Sequence, residues 1–192
     1  MTCSKVFIIL CNTFIVQNQH RLRTILTKEQ LDITIKRLAH QILENVEDAG
    51  NIVLIGIQPR GVFVSDRIMN DIRNKFPDAF KKVKYGKLDI TFYRDDVRGE
   101  LHTANKTDIS FSIEGKNVIL VDDVLYKGRT VRAALDALLD FGRPNKVELC
   151  VLIDRRFSRE LPIQPDYCGK AIDSIMSQKV KVEWDKDEVV LY

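Results

Sequence analysis

Three short stretches of this chain are continuously apolar, and they constrain its fold more than any other feature. They are NIVLIGI at 51–57, NVILV at 117–121 and VELCVLI at 147–153. A strand with one face in water alternates apolar and polar residues, whereas a strand covered on both faces is apolar throughout. Segments with helical periodicity lie between these runs. The pattern predicts an α/β domain built on a mainly parallel sheet that is flanked by helices.

Three segments have the apolar spacing of amphipathic helices. The first begins after Thr27, and a glutamine three residues later gives capping-box spacing. The second covers 62–76 and the third covers 130–141, and they end before Pro77 and Gly142, which both terminate helices.

The remaining segments are less regular. LDITFYR at 88–94 alternates apolar and polar residues, which predicts a strand. Residues 95–115 are polar and show no sustained period, which predicts a long loop of the kind that is functional or mobile. Two short apolar runs at 180–184 and 188–192 predict a closing pair of strands.

Composition excludes several classes of protein. The length of 192 residues fits one domain with a small appendage, and a net charge of +3 is too small to indicate nucleic-acid binding without a local basic patch. The four cysteines have no CxxC spacing, which disfavours a thiolate metal site and indicates a reducing cytosol.

The amino terminus contains an apolar run at 6–16 that is interrupted by polar residues. It is shorter than the ~20 residues that span a bilayer, and no small-residue cleavage pattern follows it. We interpret residues 1–24 as an extension, with a targeting segment as the alternative, and residues 25–192 as the domain. The chain is predicted to be cytoplasmic, with no membrane partner.

In open parallel sheets, ligands bind beyond the carboxyl ends of the strands. Three loops follow such ends here: QPRG at 58–61, the long loop after residue 94, and DDVLYKGRT at 122–130. We therefore expect these loops to converge on one ligand site.

The segment YKGRT at 126–130 predicts a phosphate site. A turn containing Gly128 leads into a helix, so free backbone N–H groups and the positive helix end surround one point. Lys127, Arg129 and the hydroxyl of Thr130 add further donors. Neither a Walker loop nor a dinucleotide-binding fingerprint is present in the sequence, which disfavours a nucleotide hydrolase.

Asp122 and Asp123 come just before this turn. The spacing allows them to accept hydrogen bonds from neighbouring sugar hydroxyls, directly or through Mg²⁺, while the turn binds a 5′-phosphate. Adjacent carboxylates repel each other, so a cationic or hydroxyl partner is expected. The alternative, a solvated turn or a helix cap, is weakened by the following glycine and amphipathic helix. The segment thus predicts a site for a ribose 5-phosphate.

Several segments together resemble the PyrR family of type I phosphoribosyltransferases, whose members combine a pyrimidine-operon regulator with a uracil phosphoribosyltransferase. They are Val118–Leu135, GRP at 142–144, LDITFYRDD at 88–96, and the ELPI, DY and GK motifs within 160–170. The resemblance covers about residues 27–192. It implies a parallel sheet flanked by helices, with a small hood and a flexible loop. It also implies conversion of uracil and phosphoribosyl pyrophosphate (PRPP), with Mg²⁺, to UMP and pyrophosphate.

The resemblance also implies site residues. Arg60, Arg94, Asp122 and Asp123 would be catalytic, and any metal would be bound by PRPP with the two aspartates. PRPP would contact Pro59, Arg60, Gly61, Asp122, Asp123, Val124, Leu125, Tyr126, Lys127, Gly128, Arg129 and Thr130. Arg60, Arg94 and Mg²⁺ can stabilise the negative charge that develops on the pyrophosphate leaving group.

The base site follows from the same resemblance, which implies that Tyr167, Cys168 and Lys170 line it, largely through backbone groups. Purine-using relatives commonly have aspartate at the position of Tyr126, so the tyrosine favours a pyrimidine. The chain departs from the family at Lys127, where threonine is usual, and lysine offers a point charge in place of a compact hydroxyl.

The loop RRFSRE at 155–160 is a second departure, because the family has a shorter run in this part of its RNA-binding surface. Lys36, Arg37, His40 and Arg159 are candidate RNA contacts, and a solvated helix face is the alternative for the first three. The family also implies a homo-oligomer. Enzyme and RNA-binding regulator are compatible hypotheses, and a hypoxanthine-type transferase is a third.

Overall fold

The computed structural model describes residues 23–45, 48–95 and 105–192. Its helices and strands in chain order are β1 (Arg23–Leu26), α1 (Lys28–Glu44), β2 (Ile52–Ile57), α2 (Gly61–Lys75), α3 (Pro77–Phe80), β3 (Lys84–Leu88), β4 (Asn117–Leu125), α4 (Arg129–Leu138), β5 (Lys146–Arg156), β6 (Tyr167–Asp173), β7 (Val180–Glu183) and β8 (Glu188–Leu191).

The larger sheet has the strand order β3-β2-β4-β5-β6, and all of its neighbouring strands are parallel. The carboxyl ends of its strands therefore lie along one edge. A smaller antiparallel sheet has the order β1-β8-β7. The predicted parallel sheet and the predicted closing pair of strands are both confirmed.

Alternate residues of the central strands bury against two different layers, which explains why their sequences are apolar throughout. Ile52 and Leu54 of β2 pack with apolar side chains of α1, α2 and the small sheet. Val53 and Ile55 point to the other face and pack with α4. Both faces are dry, so each central strand needs two apolar faces.

The three predicted helices are confirmed. At the start of α1, the Thr27 hydroxyl accepts a hydrogen bond from the Gln30 backbone N–H at 3.4 Å, and the Gln30 side chain accepts one from the Thr27 N–H at 3.1 Å. This reciprocal pair is the capping box that the sequence predicted. α2 ends before Pro77, and α4 continues as a 3-10 turn that ends before Gly142.

The prediction of a strand over 88–94 was wrong. The strand is β3, which ends at Leu88, and residues Thr91–Tyr93 form a 3-10 turn. The Asp89 carboxylate accepts hydrogen bonds from the backbone N–H and the hydroxyl of Thr91, at 3.0 and 2.7 Å. This local turn outcompetes the extended backbone, and Phe92 is 86% exposed, so the alternation did not reflect burial.

Two strands were not predicted. β6 lies at the sheet edge and lacks a periodic apolar run, and β1 begins at Arg23, so Arg23 and Thr24 belong to the folded unit. The rest of the predicted extension, residues 1–22, lies outside the described residues. In the predicted long loop, residues 96–104 also lie outside them, and Asp108 forms an antiparallel bridge with Lys87.

Candidate active site

A cleft of about 570 Å³ opens at the carboxyl edge of the larger sheet. Its walls come from the ends of four strands: Pro59 and Arg60 after β2, Arg94 after β3, Asp122 and Asp123 in β4, and Arg155 in β5; Val124, Tyr126 and Thr130 also line it. A smaller adjoining cavity is lined by Arg94 and by the turn that follows β4. The cleft lies within the range of about 300–1,000 Å³ that small-molecule sites occupy. The predicted convergence of the three loops is therefore observed.

The two aspartates are more deeply buried than the sequence indicated. β4 continues to Leu125, so Asp122 and Asp123 lie within the strand and not after it, and their exposed fractions are only 6% and 5%. Asp122 Oδ1 accepts a hydrogen bond from the Asp123 N–H at 2.9 Å, and Asp123 Oδ1 accepts one from the Val124 N–H at 2.8 Å. Asp123 Oδ2 is buried and has no hydrogen-bond partner among the described residues.

Burial disfavours the charged form of both carboxyls. It raises the pKa of Asp122 well above its usual value, and the neighbouring Asp123 raises this pKa further. Burial also raises the pKa of Asp123, while the positive charge of Arg60 opposes the shift. The pair is therefore poised to bind a ligand that supplies hydroxyl donors or positive charge.

Gly61 allows the loop after β2 to approach these carboxylates closely. A methyl group at this position would lie 2.2 Å from the Val121 carbonyl oxygen and 3.0 Å from the Asp122 Cα. Only glycine permits this contact between the start of α2 and β4. Arg60, the residue before it, is consequently held on the same edge of the sheet as the aspartates.

The turn Tyr126–Thr130 has the geometry predicted for a phosphate site. Gly128 has φ +93°, in the left-handed region, and α4 begins at the next residue without a side-chain cap. The first turn of α4 has free N–H groups, and its residues line the smaller adjoining cavity together with Lys127. A side chain on Gly128 would contact Ile163 and Leu161, so the segment 160–163 packs directly against the turn.

Glu160 pairs with the cations of this turn. Its carboxylate lies 2.5 Å from the Lys127 Nζ and 2.7 Å from the Arg129 guanidinium, and its backbone N–H donates to the Lys127 carbonyl at 3.1 Å. Hydrogen bonds from Lys127, and then from Arg129, lower the pKa of Glu160. Asp95 contacts Arg129 and Arg132, at 3.3 and 3.1 Å.

Arg159 lies where the sequence did not predict it. Its side chain is only 20% exposed and forms an ion pair with Asp154. Its guanidinium also donates to the carbonyls of Leu125, Tyr126, Arg155 and Ile163. These contacts use donors of Arg159 and fix the 155–163 loop to the phosphate turn. Its role as an RNA contact stays a prediction.

Arg155 was missed by the sequence analysis. It is 4% exposed, lines the cleft, and places its guanidinium 3.9 Å from the ring centroid of Tyr126. Ser174 and the Gln178 carbonyl accept its hydrogen bonds, each at 2.9 Å. Its position at the carboxyl end of a buried strand was the available signal.

The residues predicted for the base, Tyr167, Cys168 and Lys170, do not line the cleft. They lie on β6, two strands from the aspartates, and Cys168 is level with Asp122 through Val151. The Tyr167 ring is buried, and the Lys170 ammonium donates to the Ile25 carbonyl at 2.8 Å. These positions concern the side chains. The expectation that the three residues line the base site largely through backbone groups stays a prediction.

The three remaining basic candidates share one helix, α1, away from the cleft. Lys36 pairs with Asp32, Arg37 donates to the carbonyls of Cys168 and Gly169, and His40 Nδ1 donates to the Lys36 carbonyl at 2.7 Å. Lys36 keeps 45% of its side chain exposed. These contacts are compatible with either a solvated face or a binding surface.

The donor set fits a metal ion that is bound mainly by a ligand. Within residues 23–45, 48–95 and 105–192, no group of three or more metal-binding side chains comes together. The unpartnered Oδ2 of Asp123 nevertheless supplies a hard oxygen at the cleft, and Mg²⁺ typically takes one or two carboxylates together with substrate phosphates. The residues present therefore fit a Mg²⁺ ion that arrives with a phosphorylated substrate.

Comparison with known proteins identifies the class to which this fold and site belong. The family model of the phosphoribosyl transferase domain matches residues 22–187. The hypoxanthine-guanine phosphoribosyltransferase from Bacillus anthracis has a similar structure, with a TM-score of 0.66 at 21% identity over 88% of this chain and 95% of the other. The hypoxanthine phosphoribosyltransferase of Trypanosoma cruzi gives 0.64 at 19% identity, over 88% and 95%. The chain thus has the type I phosphoribosyltransferase fold.

Closer relatives define the family within this class. The bifunctional protein PyrR of Picosynechococcus sp. is 48% identical over 159 residues, which cover 82% of this chain and 88% of the relative. That of Elusimicrobium minutum is 44% identical over 167 residues, or 84% and 91%. The chain belongs to the PyrR family. None of the helices in its described part is long and apolar enough to cross a membrane.

Proposed function

We propose that this chain transfers the ribose 5-phosphate group of PRPP to uracil, giving UMP and pyrophosphate. The observation that carries the proposal is the continuous segment Asp122–Thr130, in which two buried carboxylates lead into a glycine turn at a helix amino terminus. Such a segment can bind both ends of a ribose 5-phosphate. Membership of the PyrR family supports uracil as the acceptor.

In the proposed reaction, the bond between the anomeric carbon and pyrophosphate breaks, and a bond from that carbon to a uracil nitrogen forms. The uracil N–H proton is lost to solvent or to pyrophosphate. Positive charge develops on the sugar and negative charge on the leaving group. Arg60 and Arg94 stabilise the leaving group, while Asp122 and Asp123 orient the ribose hydroxyls.

The phosphate turn holds the other end of the sugar. The backbone N–H groups of residues 127–130 and the Thr130 hydroxyl donate to the 5′-phosphate, and the remaining predicted contacts, Pro59, Gly61, Val124 and Leu125, shape the cavity around PRPP. When bound with PRPP and Asp123, Mg²⁺ supplies positive charge to the pyrophosphate oxygens. Water must also be excluded from the cleft during the reaction, because it would otherwise react with the sugar in place of uracil.

We place the base near Tyr126 and Arg155, and the backbone groups of Tyr167, Cys168 and Lys170 stay predicted contacts. The Tyr126 ring and the Arg155 guanidinium are stacked at the wall of the cleft, and together they can present a flat surface and hydrogen-bond donors to a planar base.

Base choice is the first test of this proposal. The chain is incubated with PRPP and Mg²⁺ and with either uracil or hypoxanthine. We expect UMP to form and IMP formation to be at least about 100-fold slower. The wrong base would leave polar groups of the pocket without hydrogen-bond partners, and such a loss discriminates between substrates by this much or more. Faster formation of IMP would replace uracil transfer with the hypoxanthine-type alternative. The solved hypoxanthine enzymes are only 19–23% identical and support the fold alone.

We also propose that the chain regulates pyrimidine genes by binding their messenger RNA, with UMP as the signal. The support is its 44–48% identity to relatives named bifunctional. The surface proposed for RNA is the exposed part of α1 around Lys36, Arg37 and His40. The family further suggests a homo-oligomer in the cytoplasm, and both stay predictions.

Salt dependence tests this surface. Replacing Lys36 with alanine should weaken binding to a pyrimidine-gene leader RNA and reduce the slope of log K against log salt by about one unit. Lys81→Ala is the matched control, because Lys81, the residue after α3, also forms an exposed ion pair, 3.3 Å from Asp78. Equal effects of the two replacements would exclude the α1 surface.

A further inference from the structure

Lys127 places an ammonium group in the phosphate turn, where the PyrR family usually has threonine. Its Nζ lies 2.5 Å from Glu160 Oε1. The second oxygen of the same carboxylate binds Arg129 at 2.7 Å. One carboxylate thus holds both basic side chains of the turn, each of which could otherwise bind a phosphate oxygen.

Glu160 is kept next to the turn by its neighbours. Its N–H donates to the Lys127 carbonyl, and Leu161 and Ile163 pack against Gly128. Arg159, the preceding residue, is fixed by Asp154 and by the Leu125 and Tyr126 carbonyls. The Glu160 side chain is 36% exposed, and these neighbouring contacts place it beside the turn.

We propose that Glu160 is a positioning residue that limits the affinity of the turn for the 5′-phosphate by competing for Lys127 and Arg129. This inference rests on the proposed function and deepens it. The charged groups in this network are Lys127, Arg129 and Arg132 on one side and Glu160, Asp95 and Asp136 on the other, so the charges of the network cancel. A phosphate dianion that enters must draw the two cations away from Glu160 and also meets its negative charge.

Such competition has a functional consequence. A transferase must release its phosphorylated product, and a turn with two unpaired cations would hold UMP and PRPP more tightly. Lys127 adds long-range attraction for an anionic substrate. Because Glu160 competes for Lys127, the phosphorylated product is still released quickly.

The test compares ligands that differ only in the phosphate. Replacing Glu160 with glutamine should tighten binding of ribose 5-phosphate and UMP about three- to tenfold at low salt, because it removes a negative charge that lies 2.5 Å from Lys127 and 2.7 Å from Arg129. The affinity for uridine, which lacks the phosphate, should change less than twofold. The gain should shrink as salt rises. In a Lys127→Thr background the same replacement should give a smaller gain.

Glu183→Gln is the matched control, because Glu183 also pairs with two lysines, Lys181 and Lys186, at 3.3 and 2.8 Å. It should leave all three affinities unchanged. Unchanged or weaker binding of ribose 5-phosphate by the Glu160 variant would overturn the inference. If the native chain binds ribose 5-phosphate but not UMP, only the pyrimidine assignment fails; if it binds neither, the phosphate turn and this inference fail together.

Discussion

Replacing Asp123 with asparagine should lower the rate of UMP formation about 100- to 1,000-fold, the loss typical when one preorganised electrostatic contact to a transition state is removed. Asp123 lines the cleft where ribose hydroxyls and Mg²⁺ are proposed to bind, and its Oδ2 is a buried oxygen without a partner among the described residues. Asparagine can still accept the Val124 N–H through Oδ1, so the backbone should stay in place. Steady-state rates with PRPP, uracil and Mg²⁺ measure the effect.

Asp136→Asn is the control for this variant. Asp136 is 52% exposed and pairs with Arg132 one turn along α4, outside the cleft. It should retain activity within about twofold, as exposed ion pairs contribute little. An Asp123 variant that keeps more than a tenth of the native rate would show that this carboxylate does not hold the reacting sugar.

The same Asp123→Asn variant should be more stable than the native chain at neutral pH. Burial raises the pKa of Asp122 and Asp123, so the folded chain binds their protons more tightly than the unfolded chain does. Stability is consequently lost as pH rises above the ordinary carboxyl pKa of about 3.9. The asparagine side chain carries no charge, so the gain in Tm should be largest near pH 8 and should vanish towards pH 4. Thermal unfolding across this range tests the sign.

The second large effect is structural. Replacing Arg159 with alanine should lower the free energy of unfolding by about 3 kcal/mol, since it leaves the largely buried Asp154 carboxylate without its partner. It also frees the Leu125 and Tyr126 carbonyls, which lie at the start of the phosphate turn. We therefore expect the KM for PRPP to rise as well. Denaturant unfolding and initial rates measure the two losses.

Arg156 provides the comparison, because it is adjacent in sequence and also forms an ion pair. Its partner Asp173 lies 2.8 Å away, but both side chains are more than half exposed. Arg156→Ala should cost no more than about 1 kcal/mol. Equal destabilisation by the two replacements would contradict the structural role assigned to Arg159.

Most of the fold could be predicted, since local patterns and burial agree in its central part. The apolar runs of β2, β4 and β5 and the periodicity of α1, α2 and α4 each reflect a surface that the core covers. The secondary-structure prediction was wrong or incomplete where a side-chain hydrogen bond or a position at the sheet edge determines the backbone conformation. The Asp89 side chain stabilises a turn after Leu88, and β6 lies at an edge where burial leaves only a weak pattern.

The proximity of Asp122, Asp123 and the turn to Thr130 could be predicted, because one continuous segment contains all of them. Their spacing predicts a bound ribose phosphate. Arg155 and Glu160 reach the site through long-range contacts across β5 and its following loop. No local periodicity encodes such contacts, which is why both were missed and why Arg159 was expected on the surface.

Transfer of a ribosyl phosphate to uracil is tested by measuring UMP and pyrophosphate in parallel. The native chain is supplied with PRPP, uracil and Mg²⁺. We expect the two products to appear in equal amounts, and neither to form at a comparable rate when uracil is left out. Release of pyrophosphate together with free ribose 5-phosphate and no UMP would show hydrolysis and not transfer, and would contradict the proposed function.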